Sequence, residues 1–190
     1  MKTKSLELRA PDVGLVLVDA QTKLTNVMPQ PPFERALRNW LTLIEAAARL
    51  RLPVAVSEQY PKGLGRVLPV LKEAISKVMP PARWLEKITF SCCDAPLFDQ
   101  FLGGGRTTWI VCGLETHICV YQTVRGLTER GFSVHVPIDA VLSRQKHNFR
   151  VGIELMRQAG AVISSTETIL FDLLKRADAD EFGAISKLIK

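Results

Sequence analysis

Three residues of different chemistry fall where an α/β chain puts its reactive groups. Asp19 ends the apolar run "GLVLVDAQ", Lys87 lies in "MPPARWLEKITFSC", and Cys119 falls where a helix should start after "RTTWIVCGLE". Together they are an acid, a cationic amine and a thiol. A thiol attacks as its thiolate, and a helix N-terminus and a nearby ammonium both favour that form, so Cys119 is expected to have a lowered pKa. An acid beside the thiol can take its proton and later hand it to a leaving amine. The other cysteines differ in setting. Cys112 falls inside an apolar run and reads as a small hydrophobe. The neighbouring Cys92 and Cys93 read as packing or bystander thiols rather than a redox pair.

These residues can meet only if the chain alternates strands and helices. "GLVLVDAQ" and "LPVAVSEQ" are continuous apolar runs of the kind buried on both faces of a parallel sheet. Between them "FERALRNWLTLIEAAARLR" carries apolar residues at helical spacing, after a break at "PQPPF". "YPKGLG" reads as a loop, "RVLPVLKEAISKV" as a helix with Pro69 in its first turn, and the segment holding Lys87 as extended. "DAPLFDQFLGGG" reads as a short helix with Asp94 as its N-cap. "THICVYQTVRGLTERG", "RQKHNFRVGIELMRQAG" and "TETILFDLLKRA" read as helices that alternate with "FSVHVPIDA" and "AVISST" as strands. The tail 177–190 is weakly patterned. This is an α/β pattern with a mainly parallel sheet. In such sheets ligands bind outside the carboxyl ends of the strands, where Asp19, Glu58, Gln59, Lys87 and the segment 115–119 all fall.

The chain has 190 residues, which fits one domain spanning 1–190. It is 47% hydrophobic and 23% charged, with a net charge of +6. The basic residues are scattered and aromatics make up only 7%, so no nucleic-acid-binding stripe is evident. No apolar stretch approaches a membrane span. "MKTKSLELRAPDVG" lacks the apolar core of a signal peptide. With no secreted disulfide pattern either, the expected compartment is reducing, with the cytoplasm as default.

"LVDAQ", "EKITFS" and "VCGLETHICVYQTV" together resemble the isochorismatase-like cysteine hydrolase superfamily, which includes nicotinamidases and N-carbamoylsarcosine amidases. The resemblance runs from about Gly14 to Leu174. "SEQYPKGLG" resembles the isochorismatase domain-containing subgroup. The resemblance implies a three-layer α/β/α fold of about six strands in the order 3-2-1-4-5-6. It also implies a triad in which Asp19 is the acid and base, Lys87 polarises the site and Cys119 is the nucleophile of a thioester-type intermediate. It implies a cis peptide at Leu114–Glu115, aiming the N–H groups of Glu115 and Cys119 at one point as an oxyanion hole, and a homo-oligomer.

Nicotinamidases hold a metal with an acid and two histidines after the second strand. Residues 57–87 here contain no histidine, the three of the chain being His117, His135 and His147, so no metal or other cofactor is expected. True isochorismatases lack the nucleophilic cysteine, so cleavage of an amide or related C–N bond in a small molecule is expected rather than vinyl ether hydrolysis. A catalytically silent binding member of the family and a thiol redox protein stand as alternatives. Gln21, Tyr60 and Phe90 are candidate pocket walls, and Glu58 and Lys62 could meet a polar substrate. His117 is two residues from Cys119, about 200° away on a helix, and reads as structural or as a wall of the site rather than the base. His135 alternates with apolar residues and reads as core.

Overall fold

The computed structural model describes residues 6–189, so the first five residues of "MKTKSLELRAPDVG" and the final Lys190 lie outside it. Seven strands form one parallel sheet: β1 (Val13–Val18), β2 (Val54–Gln59), β3 (Arg83–Lys87), β4 (Thr108–Leu114), β5 (Ser133–Pro137), β6 (Val141–Leu142) and β7 (Val162–Ser164). The helices, in chain order, are α1 (Thr22–Thr25), α2 (Gln30–Arg49), α3 (Pro61–Leu64), α4 (Pro69–Ile75), α5 (Phe98–Leu102), α6 (Tyr121–Glu129), α7 (Lys146–Gln158), α8 (Thr166–Leu174) and α9 (Phe182–Ile185). Among the described residues no helix is long and apolar enough to cross a membrane.

The spatial order is β3-β2-β1-β4-β5-β7, with β6 against β4. The expected order therefore holds with one adjustment. "FSVHVPIDA" does not run on as a single strand. It stops at Pro137, the chain turns, and the two-residue β6 rejoins the far end of β4 at Gly113 and Leu114, which β5 leaves unpaired beyond Ile110. The sixth position in the order thus falls to β7, paired with β5.

The apolar runs are buried on both faces because strand side chains alternate. Leu15 and Leu17 pack against Trp40 and Ile44 of α2, Leu71 of α4 and Ile169 of α8. Val16 and Val18 face the opposite layer, with Phe98 of α5, Val124 of α6 and Met156 of α7. Each continuous hydrophobic run is therefore two interleaved faces.

Local differences from the sequence reading have local causes. Helix α2 starts at Gln30, because Pro31 and Pro32 fit a first turn whose N–H groups need no partner. "YPKGLG" holds the single turn α3, also opened by proline. Asp94 is not the cap of α5. It ends a 3-10 turn over Cys92–Asp94 that Ser91 caps, and α5 starts at Phe98 after the left-handed Leu97. The tail packs through Ile185 onto Ala46, Leu170 and Leu174.

Gly113 is the tightest point of the sheet. Its φ of 118° is open to glycine, and a Cβ there would lie 2.0 Å from the Val18 carbonyl oxygen, next to Asp19. Gly131 also has a positive φ, 86°, but nothing stands near its missing Cβ. Gly113→Ala is therefore expected to cost about 2–5 kcal/mol in urea unfolding, from strain plus overpacking. Gly131→Ala is expected to cost about 1–2 kcal/mol from strain alone. Equal costs would show that the close approach at Gly113 is relieved by movement of β1.

Candidate active site

The site forms where the carboxyl ends of β1, β2, β3 and β4 meet. Val18 is paired with Ser57 on one side and Gly113 on the other, so Asp19 emerges at the centre of the sheet edge. Lys87 pairs with Gln59 at the end of β3, two strands away. That is roughly 10 Å across the sheet, a span suited to a lysine stem. Cys119 follows β4 in the turn Thr116–Val120.

All three are buried: Asp19 is 0%, Lys87 3% and Cys119 6% exposed. Lys87 Nζ donates to Asp19 Oδ2 at 2.7 Å, to Gln59 Oε1 at 2.9 Å and to the Phe90 carbonyl at 3.0 Å. An ammonium has three donors, so each is committed to the protein. The other Asp19 oxygen, Oδ1, accepts from Ser57 Oγ at 2.6 Å. The Asp19 carboxylate is also near enough to the Cys119 thiol to favour its protonated form. Asp19 itself holds a left-handed backbone with φ 48°, a conformation that aspartate tolerates better than most residues.

Burial raises the Cys119 thiol above its ordinary value, and the Asp19 carboxylate adds to the rise, while Lys87 offsets only part of it. This reverses the expected lowering. The sequence places a helix end and a cation near the sulfur but does not reveal how completely the surrounding core removes water. At Lys87, burial opposes the charged form most strongly, but Asp19, Cys92 and Cys119 together outweigh it, and the ammonium sits above the ordinary lysine value.

The segment around the thiol also differs from a plain helix start. Residues 116–120 form one wide turn in which the Val120 N–H reaches back five residues to the Glu115 carbonyl at 3.2 Å. Gly152 of α7 lets this turn sit close, since a Cβ there would lie 2.8 Å from the Thr116 carbonyl. Among the described residues the cis peptide is Met79–Pro80, so the Leu114–Glu115 bond is trans, the lower-energy form for a non-proline peptide. The cis geometry expected to aim the Glu115 N–H into an oxyanion hole is therefore absent. Leu114 pairs with Leu142 in the sheet. Glu115 Oε2 instead accepts the backbone N–H of Arg144 at 3.0 Å and its Nε at 3.1 Å. His117 Nδ1 lies 3.0 Å from Ser143 Oγ, in a structural contact, and burial lowers its pKa. His135 is buried, as its alternation suggests.

The candidate pocket residues divide. Gln21 is fully buried: its Nε2 donates to the carbonyls of Gln59 and Gly65, and its Oε1 accepts from the Gln59 N–H. It is a clamp rather than a wall. Tyr60 is half exposed and lines a cavity of about 550 Å³ with Pro61, Lys62, Glu86, Lys87 and Ile88. Phe90 is half exposed and contributes its carbonyl to Lys87. Glu58 is occupied by Arg66 and by the Val67 N–H. The sequence placed Gln59 beside Glu58 on the rim after the second strand without giving it a role, and it did not single out Ser57 or the position of Cys92. The Cys92 thiol is fully buried among Ser57, Thr123, Asp19 and Lys87, and burial raises its pKa. Cys93 points away, towards the Thr123 carbonyl, and is pushed up to about 11 by burial. The one signal in the sequence for Ser57 was its place at the end of a buried strand.

The architecture is a three-layer α/β fold with a buried acid, amine and thiol at one sheet edge, and the chain belongs to the isochorismatase family: the isochorismatase domain matches residues 13–168. It is 37% identical to the secreted isochorismatase effector Isc1 of Phytophthora sojae over 152 residues, which cover 78% of this chain and 71% of that protein. It is 32% identical to isochorismatase domain-containing protein 2 of Bos taurus over 179 residues, 93% of this chain and 82% of that protein. Among solved structures, the MAR1 ribonuclease from Caenorhabditis elegans superposes with a TM-score of 0.88 at 34% identity, covering 96% of this chain and 92% of that one.

Removing one partner of a fully buried ion pair strands the other charge. Lys87→Met is therefore expected to cost about 3–5 kcal/mol in urea unfolding, and Asp19→Asn combined with Lys87→Met to recover most of it. Because the folded ammonium titrates above its unfolded value, the contribution of Lys87 is present at neutral pH. It is lost only as the pH climbs above the ordinary lysine value. A double variant no more stable than Lys87→Met would contradict the pairing.

Proposed function

We propose that the protein is a cysteine hydrolase that cleaves an amide or related C–N bond of a small molecule through a thioester on Cys119. The observation that carries this reading is a buried carboxylate, Asp19, that holds the buried Lys87 ammonium at 2.7 Å and acts on the buried Cys119 thiol to keep it protonated. A thiol held protonated against a carboxylate is poised to lose its proton as it attacks. Asp19 takes the proton while sulfur bonds the substrate carbonyl carbon and the carbonyl electrons move to oxygen. The tetrahedral species collapses, the C–N bond breaks, and Asp19 returns the proton to the departing amine. Water then attacks the thioester and gives its proton to Asp19. The C–S bond breaks, the acid product leaves, and Asp19 returns the proton to sulfur.

Lys87 acts through charge in this scheme. With its three donors committed, it does not touch the substrate. It holds Asp19 in place and offsets the negative charge that forms on sulfur. The developing oxyanion is assigned to backbone N–H groups of the 116–120 turn, that of Cys119 among them, with Glu115 serving to anchor Arg144. Preorganised donors of that kind contribute on the order of 10²–10³ each in rate. The burial of all three groups suits a small molecule rather than a polymer. One relative is named a ribonuclease, so RNA belongs among the trial substrates.

Two measurements test this. Iodoacetamide is expected to alkylate Cys119 before Cys112, which is 1% exposed with no base beside it. Because the Cys119 thiol is raised, its rate should keep climbing above the ordinary cysteine value of about 8.5. A panel of amides, carbamoyl compounds, imides and RNA, with Cys119→Ala as blank, is expected to show turnover of a small C–N substrate. Asp19→Asn should lower that turnover by roughly 10²–10⁴, the range for lost acid–base catalysis. Cys119-independent turnover, or turnover of RNA alone, would overturn the reading.

A further inference from the structure

We infer that Gln59 is a positioning residue for this chemistry, fixing the Lys87 ammonium against Asp19, and that Gln21 acts through Gln59; the inference rests on the hydrolytic reading above. The sheet order places β2 between β3, which carries Lys87, and β1, which leads to Asp19. Lys87 must cross β2 to reach its carboxylate, and Gln59 is the side chain at that crossing. It is paired in register with Lys87 and accepts from Lys87 Nζ at 2.9 Å.

The orientation of the Gln59 amide follows from chemistry. An ammonium only donates and a carbonyl only accepts. With Lys87 Nζ on one side and the Ile88 carbonyl 2.9 Å from the other, Oε1 must face the lysine and Nε2 the carbonyl. The Gln59 backbone is equally fixed. Gln21 Oε1 accepts its N–H at 2.7 Å, and Gln21 Nε2 donates to its carbonyl at 3.0 Å and to Gly65 at 2.6 Å. Gln21 is fully buried, and these hydrogen bonds use its amide oxygen and nitrogen. The chain of contacts runs from Gln21 through Gln59 and Lys87 to Asp19, and Ser57 closes it on the far carboxylate oxygen.

The acceptor also has to be neutral. A carboxylate at 59 would offer the ammonium a second anion and draw it off Asp19. The amide satisfies one donor while leaving Asp19 as the only anionic hydrogen-bond acceptor of the ammonium. The same contacts tie down residues 88–90. The carbonyls of Ile88 and Phe90 turn inward to Gln59 and Lys87, while their side chains stand 80% and 51% exposed at the rim.

A purely structural glutamine would affect stability without altering how the Cys119 thiol titrates in the folded protein. The pH dependence of Cys119 alkylation by iodoacetamide separates the two roles. In Gln59→Met, which keeps the length and loses the acceptor, the profile is expected to move to higher pH, with alkylation at neutral pH slower by about tenfold, the scale of one hydrogen bond to a charged group. Gln21→Met, which leaves Gln59 in place but unclamped, should move the profile the same way by less, and it carries the test should Gln59→Met fail to fold. On any substrate turned over, the loss should appear in kcat with KM little changed. A profile matching the wild type in either folded variant overturns the inference and leaves the hydrolase reading standing. A wild-type Cys119 no more reactive than Cys112 overturns the hydrolase reading, and this inference with it.

Discussion

The ion pair between Lys87 and Asp19 is the constraint on which the rest of this sheet edge depends. Both side chains are fully buried, and removing two charges from water costs several kcal/mol each unless geometry and further hydrogen bonds compensate. Here the compensation is complete. The ammonium has an acceptor for each proton, and both carboxylate oxygens are engaged. Strand order makes this possible, because β3, β2 and β1 lie side by side and end at one level. The pair therefore links the fold to the chemistry, since its formation requires the three strands to be in register.

That arrangement also sets the state of the sulfur. A helix end and a cation favour thiolate, while burial and a neighbouring carboxylate favour thiol. At 6% exposure the second set wins. The sulfur therefore favours the protonated form over a free thiolate. In the proposed mechanism Asp19 takes that proton as the sulfur attacks. This places the demand for precision on Asp19, and hence on Ser57, Lys87 and Gln59 around it.

The turn that carries Cys119 is held from several sides. Gly152 admits α7 to close approach beneath Thr116 and His117. Ser143 meets His117, and Arg144 meets Glu115 through both backbone and side chain. The short strand β6 that leads into those two residues joins β4 immediately before the turn. The interruption of "FSVHVPIDA" at Pro137 thus has a consequence at the site, because it returns the chain to brace the segment that carries the sulfur.

Much of this was legible in the sequence. The doubly buried runs ending at Asp19 and near Glu58, the alternation of strand and helix, and the rule that ligands gather at carboxyl ends placed Asp19, Lys87 and Cys119 on one rim. Such features depend on local pattern and chain order, which a sequence states directly. Other features waited for the tertiary structure. These include the raised thiol, the trans bond at Leu114–Glu115, the wide turn over 116–120, the clamp made by Gln21, and Gln59 at the crossing between Lys87 and Asp19. Each depends on desolvation or on hydrogen bonds between residues far apart in the chain: Gln21 and Gln59 are 38 positions apart, and Asp19 and Lys87 are 68. A sequence lists which groups can donate, accept or ionise. Which of them meet, and with how little water, is decided only when the strands align.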